Sequence, residues 1–381
     1  MIPAVLAGFL RNATVLITVT EIKGVCYFFM KDLSYITDLF KLFAVLNGIA
    51  SVRFPFREPT NLNEIEDILK KFKSIEVGNK DERWKSYSIV KKKNGRFRII
   101  FEPKIRTKIQ LECIKILLES VYKPKFYVTA FTKGRSIVNN AQIHIGSKWI
   151  YNIDLKDFFH SFTPDMLTRA LMGFPFNMNY DAAEFIANFS CNHNAKYGKC
   201  GKISLGTILP QGSPASPILS NIACTNLDNH LLALAREYNY TYSRYADDIT
   251  FGGGEDISQN YDFINRLNAI IQQEGFAINT TKTRSQRYTR RQIVTGLVAN
   301  KNVSIKRSYI KEIRSLIHIW RKYGIDEVVE RYSKRHGTIT NKRFKIIIAG
   351  KINYIRMVMG TRNNTVRTLY TEYKECLRNK R

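Results

Sequence analysis

At 381 residues and 44% hydrophobic content, the chain is long enough for a substantial core divided into two or three lobes, and too apolar for a disordered protein. Against 32 Asp and Glu stand 60 Lys and Arg, a net charge of +28 that points to polyanionic partners. The six cysteines are scattered with no CxxC pair, and they read as free thiols in a reducing cytosol.

The first thirty residues are apolar but do not read as a targeting or membrane segment. Met1 to Leu10 lacks a basic start, and Glu21, Lys23 and Gly24 break the run from Val15 to Met30. Met30 is a candidate natural start. From Asp32, the residues Leu33, Ile36, Leu39, Phe40 and Phe43 recur at helical spacing. Asn63 with Glu66 three positions on marks a second helix start. Residues 86–101 read as a hairpin turning at Asn94-Gly95. Its cations, Lys91 to Lys93 with Arg96 and Arg98, suit either a solubilised edge or a finger that closes on a triphosphate. Pro103 ends the second strand, and Lys104 to Tyr122 has amphipathic helical spacing.

Farther on, Tyr151 to His160 places Asp154 in an apolar strand, where a lone carboxylate is costly and needs a partner. Asp157 is read as a cap of the next turn, with no catalytic role. Cys191, His193 and Cys200 supply three zinc-type donors but no fourth at suitable spacing. Ile208 to Pro217 is a loop entering a helix, with Ser213 or Ser216 as N-cap ahead of a proline. A hairpin follows over 241–254, with Asp247 and Asp248 both at its turn. Gly252 to Gly254 read as a second turn, and a helix is expected from about Asp256 to Glu274. Gly275 to Lys282 leads into a short strand, and Val294 to Val298 forms another. From Lys282 to Arg381 the chain carries 26 basic and 6 acidic residues with interleaved aromatics, so 20 of the 28 net charges lie in its last quarter. Such a lobe suits a phosphate backbone.

The adjacent aspartates carry the chemical argument. Strand neighbours point to opposite faces, but a tight turn lets both carboxylates face one cleft. Packed together they repel unless a cation sits between them. Mg²⁺ takes oxygen ligands and is held by one or two carboxylates plus substrate phosphates, and Asp154 is the natural additional ligand.

In this order, Asp154, Leu209-Pro210-Gln211-Gly212, Tyr245-Ala246-Asp247-Asp248 and Gly275 to Lys282 resemble the palm motifs of reverse transcriptases. The resemblance covers roughly residues 85–300. Asn140-Ala141-Gln142-Ile143-His144 and Val294-Thr295-Gly296 are similar to the Asn-Ala-x-x-His and Val-Thr-Gly elements of bacterial retron reverse transcriptases. The resemblance implies an α+β right-hand polymerase fold. Residues 1–80 would be an N-terminal helical extension, 81–150 the fingers, 151–300 a palm of antiparallel sheet plus helices, and 301–381 a mostly helical basic thumb.

It further implies an RNA-directed DNA polymerase using deoxynucleoside triphosphates and two Mg²⁺ ions, with Asp154, Leu155, Asp247 and Asp248 in the metal set. Lys282 would donate a proton to pyrophosphate. Arg98 and Lys93 would hold the triphosphate, Gln211 and Gly212 would line the nucleotide pocket, and Phe159 would exclude a ribose 2′-hydroxyl. Asn140, His144, Val294, Thr295, Gly296, Lys306, Arg307 and Arg314 would meet RNA. The implied partners are a cognate structured noncoding RNA, the branched RNA–DNA product primed from its 2′-hydroxyl, and an effector protein in antiphage defence, in the cytoplasm and without a membrane. A group II intron-type or other defence-associated reverse transcriptase, a template-independent polymerase and a non-catalytic RNA-binding scaffold are the alternatives.

Overall fold

Leu33 and Ile36 are both fully buried, yet neither belongs to a helix. The extended backbone of Asp38 resets the chain, and its carboxylate accepts from the Lys41 N–H at 2.8 Å, so helix α1 begins only at Leu39 (Leu39–Arg53). The computed structural model describes residues 18–22, 25–29, 32–54, 81–90, 97–199 and 202–378. The Asn63 helix start, Met30, the turn at Asn94-Gly95 and Cys200 lie outside them.

Ahead of α1, β1 (Thr18–Ile22) and β2 (Val25–Phe29) pair antiparallel. The basic hairpin forms as β3 (Trp84–Val90) against β4 (Phe97–Pro103), in register from Trp84↔Pro103 to Val90↔Phe97. Helix α2 (Ile105–Val121) buries Leu111, Ile114, Leu117, Leu118 and Val121 on one face. Next come α3 (Ile137–Gln142), β5 (Trp149–Asp154), a short 3₁₀ turn at Phe158–Ser161, α4 (Pro164–Met172), α5 (Tyr180–Ser190), β6 (Asn192–Lys199) and β7 (Lys202–Ile208). They are followed by α6 (Ser216–Ala223), α7 (Thr225–Glu237), β8 (Thr241–Tyr245), β9 (Asp248–Gly253) and α8 (Tyr261–Gln273). The chain ends with strands β10 (Arg284–Arg287), β11 (Ile293–Val294), β12 (Leu297–Ala299) and β13 (Val303–Ser304), then helices α9 (Arg307–Tyr323), α10 (Ile325–His336), α11 (Asn341–Met359) and α12 (Asn364–Arg378). The mixture is α+β, as expected.

Four further local expectations change. Neither Ser213 nor Ser216 caps α6, whose cap position is Ala215. The Ser216 hydroxyl instead donates to the Pro210 carbonyl (2.8 Å), and Ser213 Oγ accepts from the Ala215 N–H (3.3 Å), which folds the loop onto itself. Gly252 and Gly253 are strand residues of β9, not a turn. Val294 to Val298 is not one strand but a hairpin, because Thr295 and Gly296 both take positive φ (45° and 86°). The helix expected from Asp256 is split, with a 3₁₀ turn at Ile257–Gln259 before α8.

The chain divides into two compact units. The first comprises residues 1–132, 154–234 and 265–280. Its core includes an aromatic triangle of Phe158, Phe162 and Phe276, with centroids 5.0–5.9 Å apart. There the Arg83 guanidinium pairs with buried Asp81 and donates to the Phe189 and Cys191 carbonyls at 2.8 and 2.9 Å. The second unit comprises residues 133–153, 235–264 and 281–381. It contains the four-stranded sheet, in the order β10-β5-β9-β8 and without Asp154, the last residue of β5, and the three-stranded sheet β11-β12-β13. One apolar cluster there joins Ala141, Ile150, Val294 and Leu297 to the helical residues Ile317, Trp320, Phe344, Ile352 and Leu369. Among the described residues, no helix is long and apolar enough to cross a membrane.

Candidate active site

The β8–β9 hairpin runs in register from Thr241↔Gly252 to Tyr245↔Asp248, leaving Ala246 and Asp247 as a two-residue turn. Asp247 is therefore in the turn, while Asp248 is the first residue of β9. Both are half-buried. Ala246 has φ 56°, a left-handed conformation that costs an alanine roughly 1–2 kcal/mol. Arg244, fully buried, donates from Nη1 to the Ala246 carbonyl at 3.4 Å and so braces the turn from within.

Asp154 ends β5, the sheet neighbour of β9. Ile150 to Ile153 are buried, but Asp154 is half-buried, so the strand surfaces at the carboxylate rather than enclosing it. Beyond it, Leu155 bridges to Ile278. The Lys156 N–H donates to the Ala277 carbonyl (2.7 Å) and the Asn279 N–H to the Asp154 carbonyl (2.8 Å). Carbonyls alternate along an extended chain, so that of Leu155 is directed to the opposite edge. Among the described residues, no three His, Cys, Asp or Glu side chains already converge as a cation cage. The donors that sequence singled out are carboxylate and carbonyl oxygens, without imidazole or thiolate. They fit a hard cation that completes its shell from substrate phosphates.

In the first unit, Phe159 is half-buried, with its ring centroid 5.4 Å from Phe158 and 6.1 Å from Phe131. The loop at 209–212 is fastened to β4, where the Phe101 N–H donates to the Gln211 carbonyl at 2.8 Å. Gly212 has φ 118°, and a Cβ there would lie 2.4 Å from the Phe101 carbonyl oxygen. Only glycine fits that approach. Gln211 itself is half-buried. Arg98 sits on β4 opposite Ile89. Lys93 lies outside the described residues, and Lys282 is exposed. The free-thiol reading fits Cys191, which is fully buried with its thiol pushed up to about 12 by desolvation.

The expected RNA-facing set separates into two groups. Asn140, His144 and Val294 are each 0% exposed, enclosed within the second unit. Thr295 is half-buried, and Gly296, Lys306, Arg307 and Arg314 are exposed. The His144 Nδ1 lies 2.9 Å from Thr241 Oγ1 and its Nε2 2.7 Å from Ser243 Oγ. Burial holds this imidazole down at about 3, and hence neutral. Sequence reasoning missed Thr241, Ser243, Arg244 and the packing role of Gly252. The alternating hydroxyls of β8 were a signal for one polar-bonded strand face, but nothing in the sequence pairs them with a histidine 97 positions away.

Residues 90–306 match the family "Reverse transcriptase (RNA-dependent DNA polymerase)". The retron Ec86 reverse transcriptase of Escherichia coli is 34% identical over 62% of this chain and 70% of its own length. The retron Mx65 reverse transcriptase of Myxococcus xanthus is 33% identical over 60% of this chain, which spans about half (54%) of that relative. The retron Ec83 reverse transcriptase of E. coli is 29% identical over 69% of this chain and 89% of its own. Among solved structures, a foamy viral protease–reverse transcriptase in complex with double-stranded DNA aligns over 82% of this chain and 46% of its own, with 16% identity and a TM-score of 0.38. The chain belongs to the reverse transcriptase family and, within it, to the retron group.

Proposed function

We propose that this protein is an RNA-directed DNA polymerase that copies a cognate structured noncoding RNA, starting from a 2′-hydroxyl of that RNA. The product is a branched RNA–DNA hybrid (msDNA), made in the cytoplasm and used with an effector protein in antiphage defence. The observation that supports this most is the strand order: β5, which ends at Asp154, neighbours β9, which begins at Asp248 directly after Asp247 in the turn. Asp154, Asp247 and Asp248, with the Leu155 carbonyl, would hold two Mg²⁺ ions, which would supply charge neutralisation for nucleotidyl transfer.

The remaining work is positioning. Arg98 and Lys93 take the triphosphate, Gln211 and Gly212 line the nucleotide pocket, and Lys282 protonates the departing pyrophosphate. Phe159 closes the space beside the sugar. In this reading residues 1–80 are an extension, 81–150 fingers, 151–300 palm and 301–381 thumb, with Thr295, Gly296, Lys306, Arg307 and Arg314 on the RNA side. The test is to purify the protein from cells carrying its native flanking DNA and to resolve the co-purifying nucleic acid with and without RNase and debranching enzyme. A discrete DNA band, shifted by debranching and absent from Asp247→Ala, is expected. Primer extension without that band would reduce the reading to a polymerase of other biology, and bound RNA with neither would refute it.

A further inference from the structure

The β8–β9 hairpin has an unusual mechanical problem. Its turn contains a left-handed alanine, and β8 is the outer strand of its sheet, paired only to β9 among the described strands. A slip of one residue would turn Asp247 and Asp248 to the wrong faces. What pins the far end of β8 is His144. Thr241 and Ser243, two residues apart, share one face of the strand, and that face meets the imidazole.

One position of the ring's proton satisfies all of these bonds at once: Thr241 Oγ1 donates to the Gly252 carbonyl (3.3 Å) and accepts from His144 Nδ1–H. Nε2 is then the acceptor, and the Ser243 hydroxyl donates to it. The pocket leaves no slack, since a Cβ on Gly252 would lie 2.6 Å from Thr241 Oγ1, 2.4 Å from Ser147 Oγ and 3.1 Å from His144 Nδ1. From the same segment, the Ile137 carbonyl of α3 accepts from Thr295 Oγ1 at 3.3 Å, and Ala141 packs in the cluster that holds Val294 and the terminal helices.

We propose that His144 is a positioning residue for nucleotidyl transfer: its Nδ1-protonated ring locks β8 in register against α3 and thereby fixes the turn that carries Asp247 and Asp248. This rests on the polymerase reading and assigns the Asn-Ala-x-x-His segment an internal mechanical role instead of an RNA contact.

Replacing the ring outright risks unfolding, so the test removes its partners. The full-length chain is prepared as wild type, Thr241→Val, Ser243→Ala, the double variant, Gly252→Ala and Thr241→Ser. Each is followed by hydrogen exchange across 241–253 and by kcat and KM for deoxynucleotide on a primed RNA template. In the folded double variant, hairpin amides should exchange about tenfold faster, and kcat should fall about tenfold or more with KM within about twofold. Thr241→Ser should restore both, because it keeps the hydroxyl. A folded double variant with unchanged exchange and kcat overturns the proposal, as does a Thr241→Ser variant as impaired as Thr241→Val. A wild-type chain that polymerises nothing, while exchange still rises in the double variant, refutes the polymerase reading and the catalytic part of this one. It would leave only the lock on the hairpin.

Discussion

A neutral histidine buried to 0% exposure titrates the fold as well as bracing it. Burial holds the folded-state value at about 3, whereas an unfolded chain would titrate near the ordinary value of about 6.5. Between those values the unfolded state binds the extra proton, so the contribution of His144 is complete above pH ~6.5 and is lost progressively as pH falls toward ~3. At pH 5 the loss attributable to this one group should be on the order of 2 kcal/mol. Urea unfolding of wild type and His144→Gln at pH 7.5 and 5 checks this, and equal pH sensitivity in the two would refute it. Gly212 is constrained as tightly by its surroundings. The nearest obstacle to a methyl is backbone, the Phe101 carbonyl, and φ is positive. Gly212→Ala should therefore cost roughly 2 kcal/mol or more, read as a lowered urea midpoint, with the deoxynucleotide KM raised as the loop shifts. Phe159 makes the opposite kind of prediction, because it is half-buried at the edge of a phenylalanine cluster. Phe159→Ala should leave the fold intact and admit ribonucleotides; unchanged sugar selectivity in a steady-state comparison would remove it from the gate role.

At the scale of elements, the hairpins show what local sequence can and cannot encode. The Asp247-Asp248 hairpin is legible because apolar alternation on both sides frames a polar pair. The hairpin at 293–299 is not, because its turn residue is threonine, a β-branched type that favours strands and that rarely takes positive φ. Five residues thus read as one strand. Gly252 misleads for the complementary reason: three glycines in a row suggest a turn, whereas two are strand residues, and Gly252 is small because Ser147, Thr241 and His144 occupy the space. The Thr295 turn gives a separable prediction. Thr295→Val keeps the strained φ and loses the bond to Ile137, so it should cost about 1–2 kcal/mol. Thr295→Gly loses the same bond but relieves a strain of similar size, so it should lie within about 1 kcal/mol of wild type. Chemical unfolding that ranks glycine below valine would show that the strain is not there.

Over the whole molecule, composition locates the charge but not its geometry. The excess of basic residues after Lys282 is countable from the sequence, and the helices that carry it bury alternate faces as amphipathic spacing requires. What needs the structure is which cations remain available. On α9, Ile313, Ile317 and Trp320 face the core, while Arg307, Lys311, Arg314 and Arg321, successively four, three and seven residues apart, are all exposed. That spacing makes a single cationic stripe along the helix. If the stripe only keeps the helix soluble, neutralising it will leave RNA affinity and its salt dependence alone. If it tracks phosphates, every cation removed leaves one phosphate with its counterion still condensed, and fewer counterions are released on binding. Lys311→Gln/Arg314→Gln/Arg321→Gln should therefore weaken binding of a single-stranded RNA and flatten the plot of log affinity against log salt by about 2 units, at roughly 0.7 for each phosphate no longer neutralised. The measurement is a titration of RNA at several KCl concentrations. A parallel line displaced to weaker affinity would mean that the helix was distorted rather than discharged, and a superimposable line would return these residues to the role of a solvated face.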